Sequence, residues 1–232
     1  MVNNALLIGN SSGIGLAATE ELLKRGWRVT GVSRSSSTVR DDNYSHFVAD
    51  VGSDEYLVTL ESVLGANEYF DLCIYCAGIG ELLDINDMKV DVRTVEVNLL
   101  GLVKTASLVI PKMVHKGEGH FIGFSSVADE LLSSESPAYH ASKAGLSNYL
   151  EGLALAVRQT GIYVTNLRFG FVNTKMAKGD VKPFMMSVDR AVEHLFVCMK
   201  RKPVRYTAPR IVIPLVKFRK FMMRLGIMLM KR

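Results

Sequence analysis

The chain has 232 residues, of which 48% are hydrophobic and 22% charged. That length and balance suit one ordinary globular domain and exclude disordered, fibrous and repeat classes. The net charge of +5 hides an asymmetry: eleven of the 28 Lys and Arg, and none of the 23 Asp and Glu, fall after position 199. The rest of the chain therefore holds 17 basic against 23 acidic residues, and any anionic partner is expected at the C-terminal stretch. Three cysteines form no even-numbered framework, so a reducing compartment is expected. The start "MVNNALLIG" lacks the cationic region and long apolar run of a secretory signal, which points to the cytoplasm.

In chain order, apolar runs bounded by turn residues occupy 5–8, 27–32, 46–49, 69–76, 119–124 and 162–169. Continuous rather than alternating apolar character predicts strands covered on both faces. Helix-length segments lie between them at 13–25, 53–66, about 87–115 and 137–160. Alternation of the two predicts an α/β fold: a single-domain, doubly wound parallel sheet with helices on both faces. The Cys73 and Cys76 pair sits inside the strand "FDLCIYCAG" with no second cysteine pair or histidine cluster after it, so no metal is expected.

"LLIGNSSGIG" places Gly9, Gly13 and Gly15 between the first strand and the first helix, with Ser11, Ser12 and Ile14 among them. Glycines there permit a tight turn and close approach of backbone to a pyrophosphate, whose charge a helix N-terminus favours. The plainer reading is a turn that needs glycine only for packing. The second strand ends in "VTGVSRSSS", with Ser33 and Arg34 and no carboxylate until Asp41. An acidic residue there would bind ribose hydroxyls, whereas an arginine pairs with a 2′-phosphate, so NADP(H) is favoured over NAD(H) unless Arg34 is only a solvated loop residue.

The stretch "SSVADELLSSESPAYHASK" carries Ser126, Tyr139 and Lys143. Residues four apart share a helix face, so the phenol and the amine point the same way. A free tyrosine, with a pKa of roughly 10, exchanges protons poorly near neutrality, and a nearby ammonium is expected to stabilise its phenolate.

The glycine spacing, the Y-x-x-x-K pair and the serine upstream together resemble the short-chain dehydrogenase/reductase family over roughly residues 4–200. The resemblance implies that Tyr139 is the general acid or base, that Lys143 lowers its pKa and binds the nicotinamide ribose, and that Ser126 orients the carbonyl. It implies that Asn98 in "VEVNLLG" holds a water leading from Lys143 to solvent. For the cofactor it implies contacts from Asp50 and Val51 after the third strand, from Cys76, Ala77 and Gly78 after the fourth, and from Gly170, Val172 and Thr174 after the sixth. Three positions depart from the family pattern: Ile8 replaces a threonine, Cys76 an asparagine that braces the sheet, and Phe169 a proline.

Residues 1–200 thus read as a dinucleotide-binding catalytic domain with a lid near 174–187, where Phe184, Met185 and Met186 are suited to an apolar pocket. Residues 201–232 read as a basic amphipathic extension of the same domain. Within it, 215, 218, 222, 225 and 229 follow helical spacing with Lys217, Lys220 and Arg224 displaced. Such a helix suits either an anionic membrane surface or a packing face on the domain or a second copy, in a homodimer or homotetramer. Nucleic acid is not expected, because the basic run lacks interleaved aromatic stacking groups beyond Tyr206. The expected activity is reduction of a small to medium, apolar carbonyl compound to an alcohol, or the reverse. Rival readings are a catalytically silent dinucleotide-binding sensor or scaffold and a sugar-nucleotide epimerase, the latter needing a longer chain.

Overall fold

The computed structural model describes residues 2–66, 69–176 and 184–229. Seven parallel strands form one sheet: β1 (Asn4–Ile8), β2 (Arg28–Ser33), β3 (Tyr44–Val48), β4 (Leu72–Tyr75), β5 (Gly119–Ser126), β6 (Ile162–Phe169) and β7 (Arg205–Ala208). Their order is β3-β2-β1-β4-β5-β6-β7. The order reverses between β1 and β4, and a crevice at such a switch point, beyond the carboxyl ends of the strands, is where open α/β sheets bind ligands.

Both faces of the sheet are covered, which is why its strands read as unbroken apolar runs. On β1, Leu6 and Ile8 pack with Tyr56 and Leu60 of α2 (Glu55–Ala66), Leu102 of α4 (Gly101–Lys116) and Leu150 of α5 (Pro137–Ala156). The intervening Ala5 and Leu7 pack with Ala18 and Leu22 of α1 (Gly13–Lys24) and with Ala191 and Leu195 of α6 (Val188–Arg201). Each fully buried leucine of this kind contributes roughly 1.5–3 kcal/mol relative to an exposed one. Cys73 and Cys76 fall on opposite sides of the sheet, so the two thiols do not share a site.

The helical run expected over 87–115 contains α3 (Lys89–Val95), a π-helical turn (Glu96–Leu100) and then α4. The Tyr75 hydroxyl at the end of β4 donates to the Val97 carbonyl at 2.5 Å. Gly101 lies so close to that hydroxyl that a methyl group there would collide with it. This side-chain bond to a helix carbonyl sits at the π turn that carries Asn98, a kind of irregularity frequent at functional sites.

Two elements lie beyond those expected. Helix α6 starts at Ser187, whose hydroxyl accepts from the Arg190 N–H at 3.2 Å and satisfies one of the free amides of the first turn. Strand β7 pairs with β6 at the sheet edge. The change of composition near residue 200 therefore falls inside α6 and marks no break in the fold. Helix α7 (Val212–Leu229) spans the expected amphipathic stretch, but it packs through Val212 and Val216. The expected stripe of Leu215, Phe218, Met222, Leu225 and Leu229 is exposed instead.

Candidate active site

At the carboxyl end of β5, Ser126 caps the 3-10 turn Val127–Glu130, its hydroxyl accepting from the Ala128 N–H at 3.1 Å. Helix α5 begins with Pro137, whose missing N–H is not needed in a first turn. Two residues later it presents the Tyr139 phenol, close enough to the Ser126 side chain for that hydroxyl to act on its titration. One turn on, Lys143 is buried, donates to the Phe124 carbonyl at 2.8 Å and lies 5.9 Å from the centre of the Tyr139 ring. The fold thus brings together a serine and a tyrosine thirteen residues apart, with the lysine behind them.

Asn98 joins them from the π turn. Its Oδ1 accepts from the Ile79 N–H at 2.8 Å, and its Nδ2 donates to the Ile79 carbonyl at 2.9 Å and to Ser142 Oγ at 3.0 Å. The side-chain amide thereby clamps the loop after β4 onto α5. A methyl group on Gly78 would sit 3.3 Å from Asn98 Oδ1 and 3.7 Å from Lys143 Nζ, so all three meet at one point.

The electrostatics differ from the simple tyrosine–ammonium expectation. Burial pushes the Tyr139 phenol above its ordinary value; the nearby Ser126 hydroxyl opposes this, and the Asp129 carboxylate adds to it. Burial also pulls Lys143 down to about 8, with Asp129 acting in the opposite direction. Asp129 and its partners are absent from the sequence reading. The side chain is 2% exposed, receiving Ser147 Oγ at 2.6 Å and Arg168 Nη2 at 2.6 Å. Ser147, whose proton goes to Asp129, accepts from Ser125 at 2.7 Å, and Ser125 Oγ lies 3.4 Å from the Lys143 carbonyl. Arg168 also pairs with Glu130 at 2.7 Å. A carboxylate three residues after Ser126 was the available signal, but its arginine lay hidden in an apolar strand.

The glycine turn is shaped for close approach. Gly9 has φ 89°, and a side chain there would run into the Ala77 backbone; Gly13 has φ 55° and lies against Thr174. A side chain on Gly15 would strike the Gly9 carbonyl and the Cys76 sulfur, so this glycine holds α1 against the turn. Ser12 stands at the N-cap of α1 without a side-chain cap bond, so its hydroxyl takes none of the first-turn amides of Gly13, Ile14 and Gly15, with Ser11 beside them. Cys76 donates to the Ile8 carbonyl at 3.0 Å and bridges β4 to β1, taking over the brace expected of an asparagine; burial pushes its thiol up to about 12.

At the end of β2, Ser33 is buried and donates to the Ser35 carbonyl at 2.9 Å. Arg34 is exposed and makes no ion pair among the described residues. Asp50 is engaged by Arg93, a residue not anticipated, and by the Gly52 N–H at 3.0 Å. Burial raises the Asp50 carboxyl, but these bonds and the charges of Arg93 and Arg34 outweigh it and hold it below the usual range. Val51 is buried next to Gly101. Gly170 donates to the Ala208 carbonyl at 2.8 Å, and Val172 is core and bridges to Met186.

Part of the expected lid, 177–183, lies outside the described residues. Of its three apolar residues, Met186 is 7% exposed and belongs to the core, while Phe184 and Met185 face solvent. The methionine that reaches the site is Met176: a methyl group on Gly80 would lie 3.2 Å from the Tyr139 ring and 3.8 Å from Met176 Cγ.

Residues 3–183 match the model of the family described as short chain dehydrogenase. An uncharacterized oxidoreductase of Myxococcus xanthus is 32% identical over 203 residues, spanning 82% of this chain and 80% of its own. Among solved structures, a short-chain dehydrogenase from Sphingobium yanoikuyae in complex with NADPH superimposes with a TM-score of 0.82 at 24% identity, covering 100% of this chain and 97% of that one. Another, from Leptospira borgpetersenii with bound NAD+, gives a TM-score of 0.69 at 23% identity over 76% and 74% of the two chains. The chain belongs to the short-chain dehydrogenase/reductase family of oxidoreductases.

Proposed function

We propose that this chain is an NADPH-dependent reductase that converts a small to medium, apolar carbonyl compound to its alcohol, or runs the reverse oxidation. The observation that carries the proposal is a convergence of three groups: the Ser126 side chain acts on the Tyr139 phenol, and Lys143 lies buried one helical turn away, 5.9 Å from the phenol ring. A protein that only bound a dinucleotide would have no use for a phenol positioned in this way.

The residues fit the cofactor. The uncapped first turn of α1 and the glycines at 9, 13 and 15 would take the pyrophosphate. Arg34, exposed and unpaired among the described residues, would take the 2′-phosphate through paired charged hydrogen bonds. Ser33, Asp50 and Val51 would border the adenosine, and Cys76, Ala77, Gly78, Gly170, Val172 and Thr174 would border the rest. When bound, NADP(H) supplies the hydride in reduction and takes it up in oxidation. Ser126 then holds the carbonyl oxygen, and Tyr139 gives it the phenolic proton as negative charge develops there. Lys143 at about 8 is charged at neutral pH yet close enough to exchange its proton, which suits it to help restore the Tyr139 phenol after each turnover.

Titration of the purified protein with NADPH and NADH in parallel tests the cofactor half. Tighter NADPH binding that falls roughly tenfold to a hundredfold in Arg34→Ala, with NADH binding unchanged, is the expected result. Equal affinities in both proteins would remove Arg34 from cofactor choice.

A further inference from the structure

Helix α7 lies on the domain by one side only. Val212 and Val216 are buried against it, and Lys220 reaches down to Glu130 at 3.2 Å, tying the helix to the turn after Ser126. At 3.6 residues per turn, Phe218, Leu225 and Leu229 fall on the side opposite this anchor. Phe221 and Met222 flank them. Phe218, Phe221 and Leu229 are 62%, 63% and 74% exposed, a concentration of large apolar groups that a monomeric surface rarely leaves uncovered.

Charge says what covers it. Lys217 and Arg224 lie along one edge of the apolar row and Arg219 along the other, all exposed. No Asp or Glu occurs anywhere after Glu193. A second copy of this helix laid on the first would bring cationic edges against cationic edges in any register, with no carboxylate on α7 to relieve them. Apolar groups inserted between acyl chains with cations at headgroup level are instead what an anionic bilayer accepts from a helix lying in its plane.

We infer that α7 is a membrane-docking element that seats the protein on an anionic lipid surface, its Phe218/Leu225/Leu229 row inserted and Lys217, Arg219 and Arg224 at the phosphate level. The docking is independent of the reaction proposed above and stands or falls without it. It differs from a spanning helix, since α7 stays anchored to the domain along its other side.

Sedimentation of the full chain with phosphatidylcholine vesicles, with and without phosphatidylglycerol, tests this. The chain is expected to pellet with the anionic vesicles and to release as salt is added. Each neutralised cation is expected to weaken binding roughly fivefold, and Lys217→Gln/Arg219→Gln/Arg224→Gln together roughly a hundredfold. Phe218→Glu/Leu225→Glu is expected to abolish binding; both side chains are exposed, so an unchanged melting temperature verifies the fold. No pelleting of the wild type at low salt, or equal pelleting by the glutamate variant, overturns the inference. So does light scattering that finds a dimer which this variant dissociates while the wild type ignores vesicles, because the row would then belong to a second copy.

Discussion

A lysine as buried as Lys143 costs stability at every pH where it is charged. Unfolded, it titrates near 10.5; folded, burial brings it to about 8. Below about 8 the penalty is fully present, and between about 8 and 10.5 the folded chain releases its proton first, so stability rises with pH in that window. Lys143→Met is therefore expected to raise unfolding stability at pH 7 by about 1–2 kcal/mol, allowing for its lost bond to Phe124, while turnover is lost. Urea denaturation at pH 7 and pH 10 measures this: the gain should shrink at the higher pH, and a less stable variant would contradict the assignment. Asp129 offers a second test. Its carboxylate raises both Tyr139 and Lys143, so in Asp129→Asn the pH profile of alcohol oxidation is expected to move to lower pH. Arg168 keeps Glu130 as a partner in that variant, and a purely structural role for Asp129 would lower the folded fraction without moving the profile.

Strand β5 carries a different titration. His120 is buried and bonded to Thr165 Oγ1 of β6 at 2.8 Å, and burial, with the charge of Lys202, lowers it to about 3. The unfolded chain binds the proton first as pH falls from 6.5 towards 3, so stability is lost across that window. His120→Gln is expected to flatten this acid limb in thermal unfolding followed between pH 4 and pH 7. An unchanged slope would show that other groups govern acid sensitivity. The six strands at 5–8, 27–32, 46–49, 69–76, 119–124 and 162–169 were legible because covered strands concentrate apolar residues. Strand β7, with the sequence RYTA at the sheet edge, was not, since an edge strand needs fewer of them. Helix α6 did carry a signal, in Ser187 followed by Ala191, Val192, Leu195 and Cys198, but the loop before it masked the rhythm. In the site, Ser126, Tyr139 and Lys143 were legible from spacing. Asp129, Arg93 and Met176 were not, because each acts through a partner brought near only by folding.

Across the whole molecule, one sheet serves two ends. Its β1–β4 crevice and the end of β5 gather the glycine turn, Ser126 and α5, while the edge beyond β6 carries β7 and leads into α7. The ion pairs of Glu130 with Arg168 and Lys220 connect the two, linking the proposed docking helix to the turn beside the reacting groups. The measurement that tests the account most directly is NADPH oxidation by the wild type and Tyr139→Phe against aldehydes and ketones of increasing chain length. Turnover that rises along the series and falls roughly 10²–10⁴-fold in the variant, with NADPH binding retained, is the predicted result. Turnover that survives the loss of the phenol hydroxyl would contradict the central role given to Tyr139.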